Sequence, residues 1–295
     1  MLVIFNPAAG AGRRRRLSRA IDWLCREGLP PDIAETRAPG DARRIAADAA
    51  AGGRRIIVAA GGDGTIAEVA AGIAGSAATL GILPLGTANV LAWELGLPSA
   101  PEEAAAVLAG GQRRLVWPGI ITDEAGGQRL FVQMAGAGFD AAVVRDLDLG
   151  LKRRLGRTAY VIQAMREVAR HPFTPIEAVI DGAPHRATSV IVTKGRLYAG
   201  RHLLAPAARP RSPGFQVALF AGTGPASIVL AGLALPLGLL PRLPGLSIRP
   251  ASRISLAGAG VALQADGDPA GTLPVRIEDA PVALPVLMPA RSPAR

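Results

Sequence analysis

The chain has 295 residues, 49% of them apolar and only 4% aromatic, with 33 Lys and Arg against 23 Asp and Glu for a formal charge of +10. This length admits two domains or one large one, with a core of Ala, Val, Leu and Ile. The single cysteine, Cys25, excludes a disulfide framework and a cysteine-based metal site, and the absence of interleaved aromatic and basic residues puts nucleic acid last among the anionic partners that a basic surface favours.

Leu2 to Phe5 is a short apolar run that predicts a buried strand, ended by the turn Asn6-Pro7-Ala8-Ala9-Gly10. A helix is predicted from Arg13 to about Arg26, with Cys25 packed as a small apolar residue. Its four leading arginines read as a solvated helix start within reach of an anion at the strand end. Asp32 to Thr36 is a second strand, and Asp41 to Ala51 an amphipathic helix. Arg55 to Ala60 is a buried strand that breaks at Gly61-Gly62-Asp63-Gly64, and a helix-like pattern resumes at Thr65. Thr79 to Leu83 is the next strand, followed by Pro84-Leu85-Gly86-Thr87-Ala88-Asn89 and a helix from Val90 to Leu95. Short buried strands alternating with helices predict an α/β domain with a parallel, doubly wound sheet, whose strand ends line a ligand edge.

Near Pro118 the rhythm changes. Strands separated by turns are predicted at 119–122, 130–133, 176–180, 189–193, 215–220, 253–257 and 261–265, with one helix inserted at 157–171. This pattern reads as a β-rich, antiparallel, sandwich-like domain. The expected division is 1–118, joined by the C-terminal segment 282–295, and 119–281. The most apolar stretch, Ile228 to Leu240, is broken by Pro236 and too short to span a bilayer, and core packing and lipid contact are equally compatible with it. No signal-peptide pattern precedes the first strand, so a cytoplasmic location is expected.

The chemistry concentrates in the turns. A strand, a glycine turn and a helix start at Gly61–Thr65 gather backbone N–H groups and a helix N-terminus at one point, which attracts phosphate. Asp63 is anomalous there, because a carboxylate beside a phosphate is repelled unless a Mg²⁺ or a proton intervenes. A sharp strand-to-helix turn with Asp as a turn residue is the plainer alternative. Four such turns recur in order: Asn6–Gly10, Gly61–Thr65, Pro84–Asn89 and Gly136-Ala137-Gly138-Phe139-Asp140. Ala265-Asp266-Gly267-Asp268 closes the series. His171, His185 and His202 lack ligand spacing.

This ordered set resembles the diacylglycerol kinase catalytic-domain family, which includes bacterial lipid kinases and sphingosine kinases, over about Leu2 to Leu287. The resemblance implies an ATP- and Mg²⁺-dependent lipid kinase, with an α/β nucleotide domain, a β-rich lipid-substrate domain and the active site in the cleft between them. It assigns Asn6, Gly10 and Thr36 to the nucleotide site, Gly61, Gly62, Asp63, Gly64 and Thr65 to the ATP-phosphate loop, and Gly86, Thr87 and Asn89 to its neighbour. Phe139 and Asp140 match the lipid-headgroup region. Asp268 is the candidate general base, with Asp63 as a second catalytic carboxylate, and Asp266 braces the site or assists Mg²⁺.

Three departures stand out. The family carries Asp-Gly-Glu where this chain has Asp266-Gly267-Asp268, one methylene shorter. Ala205-Pro206-Ala207-Ala208 is present, but Ser212-Pro213-Gly214 replaces an acidic turn that holds a structural Mg²⁺ in relatives, so no such site is expected here. Val90 stands where many relatives have Asp. Lys152-Arg153-Arg154 with the apolar 228–240 stretch suits peripheral contact with an anionic membrane surface. An NAD kinase-like enzyme, or a non-catalytic nucleotide- or lipid-binding regulator, are the alternatives. The acceptor, whether diacylglycerol, phosphatidylglycerol or a sphingoid base, and the oligomeric state are not encoded in any motif.

Overall fold

The computed structural model describes residues 1–7, 11–148, 150–151, 156 and 158–290. Gly10 and the basic residues Lys152, Arg153, Arg154 and Arg157 lie outside them. The chain divides into two units, Met1–Trp117 with Pro281–Arg295, and Pro118–Ala280.

In the first unit β1 (Leu2–Phe5), α1 (Ala11–Arg26), β2 (Asp32–Glu35), α2 (Asp41–Ala51), β3 (Ile56–Gly61), α3 (Asp63–Ile73) and β4 (Thr79–Pro84) alternate, followed by α4 (Val90–Glu94), α5 (Pro101–Gly110) and β5 (Gln112–Val116). The final strand, β20 (Leu284–Met288), returns to this unit and gives the sheet order β2-β1-β3-β4-β20-β5. β2 to β20 run parallel, while β5 pairs antiparallel with β20, so the sheet is mixed rather than wholly parallel. β5 escapes a pattern-based reading because Gln112, Arg113, Arg114 and Leu115 are all exposed on an edge strand. The central strands are apolar without alternation, as burial on both faces requires: Val3, Phe5, Val58, Ala60 and Leu83 are fully buried. Chain order reverses about β1, which is flanked by β2 and β3. The crevice at the carboxyl ends of β1 and β3 is therefore the topological switch point, where doubly wound sheets take their ligands. Cys25 is exposed, not packed, because it lies on the outer face of α1 beside buried Leu24.

The second unit is built on two six-stranded sheets. β6 (Gly119–Asp123), β7 (Gln128–Phe131), β9 (Ile176–Ile180), β10 (Ala183–Ala187), β16 (Arg253–Ala257) and β19 (Val275–Asp279) form the sheet β10-β9-β16-β19-β6-β7. β8 (Met134–Ala137), β11 (Ser189–Thr193), β14 (Phe215–Phe220), β15 (Leu246–Ala251), β17 (Ala262–Ala265) and β18 (Asp268–Thr272) form the sheet β15-β14-β11-β8-β17-β18. Among the described residues these strands pair antiparallel. Period-two burial explains the layering: in β9, Ile176, Ala178 and Ile180 are buried while Glu177 and Val179 face solvent. Inward residues of both sheets form one core, with the Phe131 and Phe215 rings 6.0 Å apart. α6 (Phe139–Arg145), α7 (Thr158–Val168) and α8 (Pro225–Ala234) belong to this unit, and the two-residue strands β12 (Leu197–Tyr198) and β13 (His202–Leu203) pair with each other. The single strand expected at 130–133 is instead the junction of β7 and β8. Its N–H groups at Val132 and Gln133 go to the Asp266 carboxylate rather than to a ladder.

Candidate active site

Two glycine turns meet at the carboxyl ends of β3 and β4. The Gly61 carbonyl accepts from both Leu85 N–H and Gly86 N–H at 2.9 Å, so backbone alone laces the second turn to the first. No side chain fits at that contact: a Cβ on Gly86 would lie 2.3 Å from the Gly62 Cα. Asn89, in the left-handed region at φ 48°, closes the second turn on itself. Its Oδ1 accepts from Gly86 N–H at 3.0 Å and its Nδ2 donates to Gly86 O at 2.8 Å. Thr87 stands exposed at the tip of this closed turn.

Asp63 resolves its own anomaly. Its Oδ1 accepts from Val90 N–H at 2.6 Å, and the N–H groups of Asn89 and Leu91 also stabilise its charge. The first residue of α3 thus caps α4, and the carboxylate is directed into protein rather than toward a bound anion. Burial pushes the Asp63 carboxyl up from its ordinary range, and the N–H groups oppose that rise. This geometry is that of a positioning residue, with the Asp63 carboxylate tied to the start of α4.

With Asp63 directed away, the start of α3 is open to an anion. The first hydrogen bond of the helix runs from Ile66 N–H to Gly62 O at 3.0 Å, so the N–H groups of Gly64 and Thr65 have no acceptor within the helix, while that of Asp63 turns to its own carboxylate. Asn6, at the end of β1, donates from its backbone to Ala60 O at 3.2 Å and from Nδ2 to Thr65 Oγ1 at 3.3 Å. Thr36, buried just past β2, donates its N–H to Phe5 O at 2.9 Å. Asn6, Gly61–Thr65 and Gly86–Asn89 therefore converge at the switch point, with Thr36 at the next strand end. Among the leading arginines, Arg14 pairs with Glu35 and Arg16 donates to Pro84 O, the last residue of β4.

In the second unit Asp266 (φ 51°) and Gly267 (φ 83°) form the two-residue turn between β17 and β18, both with positive φ as a type I′ hairpin demands. The Asp266 carboxylate accepts from Val132 N–H (2.7 Å), Gln133 N–H (2.8 Å) and Met134 N–H (3.0 Å). Both its oxygens are engaged by backbone, and Asp266 braces the turn. Asp268 is the first residue of β18, an edge strand, and is half-buried.

Asp140, in the first turn of α6, accepts from Tyr198 Oη and from Gln264 Nε2, the latter at 2.8 Å. Gln264 Oε1 in turn accepts from Gly267 N–H at 2.8 Å. A continuous path, Tyr198–Asp140–Gln264–Gly267, thus ends one residue before Asp268. Burial pushes the Asp140 carboxyl up against the opposing effect of its two donors. Burial, and then the neighbouring carboxylate, push the Tyr198 phenol well above its usual value. Gly136 is required beneath this path, since a Cβ there would lie 2.6 Å from Asp140 Oδ2. Phe139 packs edge-on against His171 with ring centroids 5.5 Å apart. Tyr198 and Gln264 are absent from the sequence-derived set. No local motif marks Tyr198, while Gln264, a polar residue in an otherwise apolar strand two positions before Asp266, carries a weak signal.

Where Ser212-Pro213-Gly214 replaces the acidic turn, the Gly214 N–H donates to Asp279 Oδ2 at 2.6 Å and the Gly214 carbonyl accepts from Lys194 Nζ at 2.7 Å. No group of three or more His, Cys, Asp or Glu side chains suited to a metal ion occurs among the described residues.

Comparison with known proteins agrees with this anatomy. Residues 1–119 match the family model "Diacylglycerol kinase catalytic domain", and residues 133–288 match "YegS C-terminal NAD kinase beta sandwich-like domain". A Pseudomonas putida protein described as "Probable lipid kinase YegS-like" is 32% identical over 280 residues, spanning 93% of this chain and 90% of its own. A diacylglycerol kinase of Mycobacterium tuberculosis is 30% identical over 291 residues, 96% of this chain and 93% of its own. A solved diacylglycerol kinase structure from Bacillus anthracis superposes with a TM-score of 0.71 at 19% identity, covering 99% of this chain and 97% of that one, which speaks for the fold. With an α/β unit that carries the laced glycine turns and a β-sandwich unit that carries the braced Asp-Gly-Asp hairpin, this chain belongs to the diacylglycerol kinase catalytic-domain family of lipid kinases.

Proposed function

We propose that this lipid kinase transfers the γ-phosphoryl group of ATP to the hydroxyl of a lipid, diacylglycerol or a related lipid. The observation that carries the reading is the pair of laced glycine turns at the switch point, with the N–H groups at the start of α3 open and the Asp63 carboxylate directed away. Asn6, Gly10, Gly61–Thr65, Gly86, Thr87 and Asn89 are assigned to ATP, with Thr36 nearer the adenosine. Asp140 and Phe139 are assigned to the lipid headgroup. The transfer breaks the bond between the γ-phosphorus and the bridging oxygen of ADP and forms one to the lipid oxygen. The hydroxyl proton passes to the Asp268 carboxylate as general base. Asp266 and Gln264 hold the Asp268 turn in place. With Asp63 and Asp266 both engaged by backbone, the side chains suit a Mg²⁺ held chiefly by ATP phosphates rather than one caged by protein, and when bound it neutralises charge on the transferred group.

Radiolabel transfer from ATP to a panel of lipids tests the assignment. Label should appear in a lipid phosphate, and Asp268→Asn should lower kcat by about 10²- to 10⁴-fold with unchanged ATP binding. Labelling of NAD with no lipid product, or a fully active Asp268→Asn enzyme, would overturn it.

A further inference from the structure

The most apolar helix of the second unit lies in solvent. Of the residues of α8 only Ala234 is buried, and no charged side chain occurs from Pro225 to Pro241. Val229, Leu230 and Leu233 on α8, and Leu237 and Leu239 in the turn that follows, are 46% to 69% exposed. α7 packs against α8 and adds Val161 and Met165, one helical turn apart, at 59% and 72% exposure. Among the described residues these seven are the majority of the twelve exposed large apolar side chains, and the other five are dispersed along the chain. A helix that is apolar all round belongs in a core or in lipid. At ten residues α8 is too short to cross a bilayer, and no described helix is long and apolar enough to do so.

Charge selects the occupant. From Gly182 to Ala265 the chain carries nine Lys and Arg and no Asp or Glu. Arg242 follows the apolar run directly, and Arg166 and Arg170 follow Met165, with the one carboxylate between them, Glu167, buried. An anionic surface meets only attraction along this segment, whereas a second copy of the chain would bring like charges together.

We propose that α8, its following turn to Leu239 and the Val161–Met165 edge of α7 form a docking surface that inserts at the headgroup–acyl boundary of an anionic lipid bilayer. This deepens the lipid-kinase reading by naming the surface on which the enzyme meets its acceptor, and it is tested by binding, independently of turnover.

The full chain is sedimented with phosphatidylcholine vesicles, with and without phosphatidylglycerol, over a range of salt concentrations. Wild type should partition to the anionic vesicles and be partly released by salt. A Leu230→Glu, Leu233→Glu variant should bind at least about tenfold more weakly, because two inserted apolar side chains are lost and two repelled charges gained. Its far-UV circular dichroism and its activity on detergent-dispersed lipid should match wild type. Should that variant misfold, Val161→Glu, Met165→Glu decides by the same assay. Wild type that ignores anionic vesicles, or variants that bind them as well as wild type, would overturn the proposal. So would a dimer that the same substitutions dissociate without any effect on vesicle binding. Vesicle binding in the absence of any lipid phosphorylation would leave the docking surface standing and count against the kinase reading alone.

Discussion

Asp140 is a carboxylate held in a place that disfavours its charge. Tyr198 and Gln264 each donate to it, yet burial dominates and raises its pKa in the fold. The folded chain therefore binds the Asp140 proton more tightly than the unfolded chain does. The stability this contributes is complete below the ordinary carboxylate value of about 3.9 and is lost as pH rises through the raised value. Asp140→Asn does not titrate, so its Tm relative to wild type should climb between acid and neutral pH, as differential scanning fluorimetry across that range would show. A difference that is flat with pH would mean that Asp140 is not the titrating group. Asp63 is raised by the same cause, but there the backbone of α4 supplies the compensating donors. The two buried carboxylates thus differ in their partners: one is held by backbone N–H groups, the other by the side chains of Tyr198 and Gln264.

At the scale of elements, the first unit depends on how closely two turns approach. Substituting Gly86 by Ala would drive a methyl to 2.3 Å from backbone, whereas a methyl on Gly62 meets its nearest neighbour, the Gly86 Cα, at 3.4 Å. Gly86→Ala should therefore cost about 1–3 kcal/mol in urea denaturation and abolish ATP binding measured by calorimetry, since the lacing through Gly61 O must open. Gly62→Ala should fold with a much smaller penalty. The Asp-Gly hairpin of the second unit follows the same logic with different means. There the positive φ of Asp266 and Gly267 sets the turn, and the Asp266 carboxylate ties it to three N–H groups of the β7–β8 junction. In both units a carboxylate from one segment satisfies the backbone of another.

On the scale of the whole molecule, each unit has its own core, and the sandwich carries a buried charge that joins its sheets. Lys194 follows β11 and is fully buried; its Nζ contacts Asp279 at the end of β19, donates to Gly214 O, and lies 4.3 Å from the Phe215 ring centroid. Burial lowers the Lys194 pKa, and Asp279 opposes the shift. Asp279→Asn leaves that cation without its partner and should destabilise the protein by about 3–5 kcal/mol at neutral pH. The deficit should shrink as pH rises from the lowered Lys194 value toward about 10.4, where the unfolded chain still binds the proton that the fold has released. Chemical denaturation at neutral pH and near pH 10 checks both the size and the sign. The same unit carries nine Lys and Arg and no Asp or Glu from Gly182 to Ala265.

Read alone, the sequence already determined the glycine turns, the alternation of elements and the family, because each rests on local demands. Gly86 and Gly267 are dictated by backbone geometry, and apolar β1, β3 and β4 by burial on both faces. The strands 176–180 and 253–257 follow from period-two alternation, and 189–193 and 215–220 from short, mainly apolar runs; they coincide with β9, β16, β11 and β14. Polar edge strand β5 had no such pattern to betray it, whereas α5 carries Pro101 at its start and buries Pro101, Ala104, Ala105 and Leu108 at helical spacing. Only the tertiary structure decided what each carboxylate does. Asp63 meets Val90 across 27 positions, Asp140 meets Gln264 across 124, and Asp266 meets Val132 across 134. A carboxylate's role is set by the donors around it, and those donors come from segments that become neighbours only when the chain folds.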